Sequence, residues 1–174
     1  MEIYVWRFTD DPVEFAMEHN ELIRYGILRQ GWGSEGLDLT KGFSNFESNW
    51  PAAWLVGDAD RHFNMLKPLL DIQKGDLVIV PDVTVSYDTY NTHGFTLLRC
   101  VEPYQFVEPL TVKRGEDTTT DYGHSIKVNV VYSCDYFDPW GKIGRKLRGY
   151  RDRITKVDKE SQKEFVDAIS FLGL

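Results

Sequence analysis

The sequence predicts an α+β fold: a curled, mainly antiparallel sheet or small barrel flanked by two or three helices. Three observations predict it. Short apolar segments alternate with a two-residue period near residues 2–8, 95–101 and 125–133. Stretches of helical period fall between the first strands, before the third and at the end. Gly, Pro and Asx turn formers separate these segments at short intervals. Internal repeats, low-complexity tracts and linkers are missing, so residues 1–174 are expected to form one domain.

In chain order, Glu2–Phe8 alternates Ile3 and Val5 with Tyr4, Trp6 and Phe8, the pattern of a strand with two occupied faces. Asp11-Pro12 is an N-cap followed by proline in the first helical turn, predicting a short helix to about Asn20. Leu22–Gln30 reads as a second strand, ending at Gly31-Trp32-Gly33. Residues 34–58 are expected to be irregular, and Pro51 favours an extended residue before it. From Asp58 to Ile72 apolar residues recur at helical spacing around Pro68, predicting a kink or two short helices. Lys74-Gly75-Asp76 turns into a buried strand, Leu77–Val80. A polar loop at 87–94 precedes a strand at Phe95–Val101 that continues through Tyr104–Val107. Residues 113–124 read as a mobile polar loop. Ser125–Ser133 is a strand with Ile126, Val128 and Val130 inward. Asp158 caps a final helix, about 158–172, with Phe165, Val166, Ile169 and Leu172 on one face.

Composition narrows the function classes. The formal net charge is −7, yet Lys142, Arg145, Lys146, Arg148, Arg151, Arg153 and Lys156 crowd one segment with Asp152 as its lone acid. That segment carries about +6 and leaves the rest near −13. Gly141, Gly144 and Gly149 punctuate it, suggesting a loop or broken helix able to follow a nucleic-acid backbone. Aromatic residues make up 14% of the chain, including 5 Trp, a high share of which core filling is expected to absorb the greater part. Apolar runs are too short for a membrane span, and the opening residues lack the pattern of a secretory leader. Cys100 and Cys134 are far apart and read as buried, inert thiols in a reducing cytoplasm.

Enzymatic patterns are weak. His19, His62, His93 and His124 are dispersed without metal-ligand spacing. The nucleophile elbow, the P-loop and the dinucleotide fingerprint are all missing. Pro81-Asp82 is not followed by the Glu-x-Lys of a nuclease, and Asp58 and Asp60 read as helix-capping residues. A catalytic site, a metal and a cofactor are therefore not expected.

An order of elements carries a resemblance: Trp6-Arg7 on the opening strand, Gly31-Trp32-Gly33 followed by Asp38-Leu39, Gly75-Asp76-Leu77-Val78, and Phe95–Val101 leading into Tyr104-Gln105-Phe106. It resembles the EVE/PUA-like domains, in particular the modified-base-reading domain at the N-terminus of Mrr-type restriction proteins. The likeness covers about residues 3–107. It departs in the adjacent Trp6-Arg7, where the family spaces the pair, and in the lack of a following nuclease motif. The resemblance implies a PUA-like sheet and a non-catalytic module that binds nucleic acid, DNA or RNA, in a bacterial or phage defence setting. A modified base would rotate into an aromatic pocket and stack there. Trp32, Trp50, Trp54 and Trp6 are then the candidate rings, with Ser34, Asn45, Ser48 and Asn49 to read the base. Lys142, Arg145, Lys146, Arg148, Arg151 and Arg153 would hold phosphate. For each tryptophan the competing role is a core ring. The competing functions are a protein-interaction module that uses its acidic surface as an inhibitor, adaptor or nucleic-acid mimic, and a small hydrolase or nuclease with an unrecognised site.

Overall fold

The computed structural model describes residues 1–53, 57–85, 94–135 and 141–171. The element order is β1 (Ile3–Trp6), α1 (Pro12–Tyr25), β2 (Ile27–Gln30), α2 (Phe43–Ala53), α3 (Ala59–Leu66), β3 (Leu77–Pro81), β4 (Gly94–Phe106), β5 (Leu110–Arg114), β6 (Asp117–Asp121), β7 (His124–Asp135), α4 (Gly141–Leu147), β8 (Ile154–Lys156) and α5 (Lys159–Phe171). Six strands form a curled, mixed half-barrel in the order β2-β7-β4-β3-β1-β8, and β5 and β6 form a separate hairpin. In the large sheet β1 and β3 run parallel, and the other pairs are antiparallel. This is the α+β architecture that the alternating segments predict.

Strand alternation splits the core in two. Tyr4 and Trp6 of β1 point with Val78, Val80, Leu98, Cys100, Ile126 and Val128 into one layer, closed by Phe15, Leu22, Phe46, Trp50 and Leu66 from α1–α3. Ile3 and Val5 point the other way, with Leu77, Ile79, Phe95 and Leu97, against Leu147 and Phe165 of α4 and α5. A β-strand buried on both faces has no solvent side, which explains why every residue of β1 is apolar.

Several local expectations are corrected. Helix α1 runs to Tyr25 and takes residues 22–25 from the expected second strand. Phe15 and Leu22 lie on its buried side, with Glu18 and His19 between them. It stops at Gly26, which adopts φ +65° and caps Glu21 and Leu22 carbonyls. A Cβ on Gly26 would lie 2.7 Å from the Val128 carbonyl oxygen, so close strand approach fixes glycine there as well. Residues 34–58 are not irregular: α2 places Phe46 and Trp50 one helical turn apart, both in the core, and continues across Pro51. The break at Pro68 is as expected, with α3 capped by Asp58 and followed by a 3₁₀ turn, Lys67–Asp71.

The segment expected to be mobile, 113–124, is instead the β5–β6 hairpin and the start of β7. Its threonines suit a strand, and Arg114 anchors it by ion pairs to Glu14 (2.6 Å) and Asp121 (2.8 Å). Val130 is exposed rather than inward, at the point where the β4–β7 register slips between Leu97 and Leu98. In α5, Phe165 is buried and Ile169 packs beside it, whereas Val166 is exposed. Leu172 and the 87–93 part of the polar loop lie outside the described residues. Among the described residues no helix is long and apolar enough to cross a membrane.

Candidate functional site

The end of β2 delivers Gln30, Gly31 and Trp32 to an open cavity at the rim of the sheet. Thr9, Glu14 and Glu18 line it from α1 and the loop before it, Arg114, Asp121 and Tyr122 from the hairpin side, and Arg153 from the strand-like approach to β8. Its volume is about 70 Å³, or about 330 Å³ with the open mouth included. Arg153 also lines the neighbouring cleft of about 260 Å³, with Arg7, Phe8, Asp10, Pro81 and Arg151. One arginine thus joins a hollow with an aromatic wall to a hollow with three arginines.

Trp32 is half-buried, and its backbone is left-handed, φ +63°. The flanking glycines were expected to supply the unusual conformation; the tryptophan itself adopts it. Gly33 serves another need: a Cβ there would lie 2.5 Å from the Gly123 amide nitrogen. The turn is pinned on every side. Asp121 accepts from the Gly33 amide (2.9 Å), Gly33 accepts from the Gly123 amide (2.8 Å), and His124 Nε2 donates to the Trp32 carbonyl (3.0 Å). His124 Nδ1 faces the Tyr104 hydroxyl at 3.0 Å, and that hydroxyl accepts from the Leu39 amide. Burial holds the His124 imidazole neutral, with its pKa lowered to about 4. In the neutral ring Nε2 carries the proton, and Nδ1 faces a Tyr104 hydroxyl that is also within 3.3 Å of Asp38 Oδ1.

Among the described residues the non-glycine positions with positive φ are Trp32, Asp82 and Tyr122. Trp32 and Tyr122 line the first hollow, and Asp82 pairs at 3.4 Å with Arg7, which lines the second. Left-handed backbone at a bulky residue costs roughly 1–2 kcal/mol, and such strain gathers where geometry serves a ligand. Arg153 lies over the Trp32 ring, 5.6 Å from its centroid, and donates to the Phe8 carbonyl (2.9 Å). His62 meets the same indole edge-on at 4.7 Å and stacks on Trp50 at 4.6 Å.

Other predicted site residues lie elsewhere. Trp6 is fully buried, and Trp50 is 4% exposed between Phe46 and His62, so both rings are core, filling the layer between the sheet and α1–α3. Trp54 lies outside the described residues. Ser34 donates to Thr120, Asn45 to Gly36, Ser48 to Ser44 and Asn49 to Asn45, all backbone carbonyls, so these polar groups are spent on local structure away from the cavity lining. Of the basic segment, Arg151 and Arg153 reach the clefts. Lys146 pairs with Glu164 of α5 at 2.6 Å, and Arg145 and Arg148 are exposed beyond the cleft lining. Lys142 lies on α4, with its side chain outside the described part.

Sequence reasoning missed the polar lining. Glu14 and Glu18 stand four apart on the buried side of α1, a spacing visible in the sequence within the helix expected to about Asn20. Glu14 accepts from Tyr122 Oη and from Arg114, and Asp121 completes the group. Burial raises the Asp121 pKa against the opposing pull of Arg114. Arg29 is structural: it pairs with Glu21 at 2.7 Å and donates to the Glu108 and Tyr122 carbonyls.

No family model matches the chain. Part of it is similar to elongation factor 4 of Lactobacillus johnsonii and of Lactobacillus gasseri, 32% identical over 90 residues in each case. The match covers 41% of this chain and 15% of those proteins. So short a share of a longer protein carries neither fold nor activity over.

Proposed function

We propose that this chain is a non-catalytic nucleic-acid-binding module of EVE/PUA-like type that takes a single unpaired base, plain or modified, into the Trp32 cavity. The observation that carries the proposal is the juxtaposition of Trp32 and Arg153 at the mouth of a polar-floored hollow, beside a cleft with Arg7 and Arg151. A half-buried indole offers a flat face worth about 1–3 kcal/mol to a stacked base. Arg153 covers that face in the unliganded protein. An entering base takes the guanidinium's place, and the arginine turns to the adjoining cleft, where a phosphate follows the base. Planar guanidinium groups suit phosphate oxygens through two parallel hydrogen bonds. Net charge does not oppose this reading, because the cleft is lined by three arginines against one acid, Asp10.

Fluorescence anisotropy with labelled single-stranded DNA and RNA at low salt tests it. The wild-type protein binds, and Trp32→Ala weakens binding by about tenfold to a hundredfold, the stacking energy expressed as an affinity ratio. A wild-type protein that ignores both strands at low salt overturns the proposal.

A further inference from the structure

Two of the side chains lining the cavity carry a buried acceptor atom that has no hydrogen-bond partner among the described residues. These atoms are Glu18 Oε1 and Gln30 Oε1, on side chains 1% and 2% exposed. Glu18 Oε2 accepts from the Thr9 amide at 2.9 Å, so only its second oxygen is left buried without a partner. Buried polar atoms ordinarily find partners, and two orphans lining one hollow point to a ligand that supplies them. Resting on the base-binding reading above, we propose that Glu18 and Gln30 form a reading pair for the Watson–Crick edge of the base, which enters edge first with its ring along Trp32.

The chemistry fits a neutral acid beside an amide. Burial raises the Glu18 pKa well above that of an ordinary carboxyl group, and Glu14 and Asp121 add to this against the pull of Arg153. A protonated Glu18 donates through Oε1 while Gln30 Oε1 accepts. That complements an adjacent acceptor and donor, such as the ring nitrogen and amino group of cytosine or adenine. Sugars and phosphates lack a planar edge of this kind, so the ligand class is a nucleobase with that edge unoccupied. A base still paired in a duplex cannot present it and has to leave the stack first. The base's opposite edge then faces the mouth, where a substituent such as a 5-methyl group meets open space.

The test uses the full chain and a short single strand, abasic at every position but one. Cytosine at that position binds, and 5-methylcytosine binds within about twofold of it. 3-Methylcytosine, blocked on the reading edge, loses about tenfold or more, as sites built around hydrogen bonds reject ligands that leave buried groups unpaired. Gln30→Leu shows the same loss with Tm unchanged or raised, since it removes an orphan acceptor, and Glu18→Gln retains binding because its amide keeps a donor in place. Equal affinity for cytosine and 3-methylcytosine, or unaltered binding by Gln30→Leu, overturns the reading pair while leaving the cleft as a base site. Failure to bind the plain strand at all overturns both.

Discussion

His124 anchors the turn that presents Trp32, and its buried imidazole makes that anchor sensitive to acid. In the unfolded chain the ring takes a proton near its ordinary value of 6.5, whereas in the native protein it resists until about pH 4. Between those values the unfolded state holds more protons, so stability falls as pH falls. From about pH 7.5 to about pH 5 the loss is about 2 kcal/mol, and it grows to about 3 kcal/mol below pH 4. The perturbation is His124→Gln, whose amide can still donate to the Trp32 carbonyl but does not titrate. Urea unfolding of both proteins at the two pH values gives four free energies. The wild type is expected to lose about 2 kcal/mol more than the variant on acidification. Groups that titrate alike in both proteins cancel in that difference, Glu18 included. Identical pH dependence in the two proteins would refute the assignment of a neutral, buried His124.

Glu18 acts in the opposite direction. Its raised pKa makes native stability fall as pH rises from about 4.5 toward the native value, so Glu18→Gln should flatten that part of the pH–stability curve. Gly33→Ala should lower stability by about 1–3 kcal/mol or prevent folding, because the added methyl group meets backbone that cannot move aside, and circular dichroism on heating checks it. Arg151→Ala should reduce the slope of log affinity against log salt by about 0.7, the share of one phosphate on a single strand, whereas Arg148→Ala should leave it unchanged.

The strands were legible in the sequence because burial on one face leaves a two-residue pattern and burial on both leaves a short continuous apolar run. Ile3 to Trp6, Leu77 to Val80 and Ile126 to Val128 are of these kinds. The helix ends were less legible. Nothing local tells Leu22 and Ile23 to remain helical; Gly26 decides it, through a cap and through close approach to Val128. The hairpin was obscured because a polar, threonine-rich segment looks solvated until Glu14, a hundred residues earlier, offers Arg114 a partner. At the site, Trp32 and the arginines near residue 150 could be singled out from glycine flanks and charge clustering, and the fold brings Trp32 and Arg153 together. Trp6 and Trp50 could not be told from core rings, since composition carries no direction. Glu18 and Gln30 were harder to single out for a related reason: the spacing of Glu14 and Glu18 is in the sequence, but that this face of α1 and the end of β2 meet at one hollow is set by packing.

The most direct test of the Trp32 cavity as a base site is an NMR titration of the labelled protein with a short single strand. The indole Nε1–H of Trp32 and the side-chain amide of Gln30 should shift together and saturate with the same affinity as the anisotropy curve. Shifts confined to exposed residues such as Arg145 and Arg148, with those two signals unmoved at saturation, would contradict it.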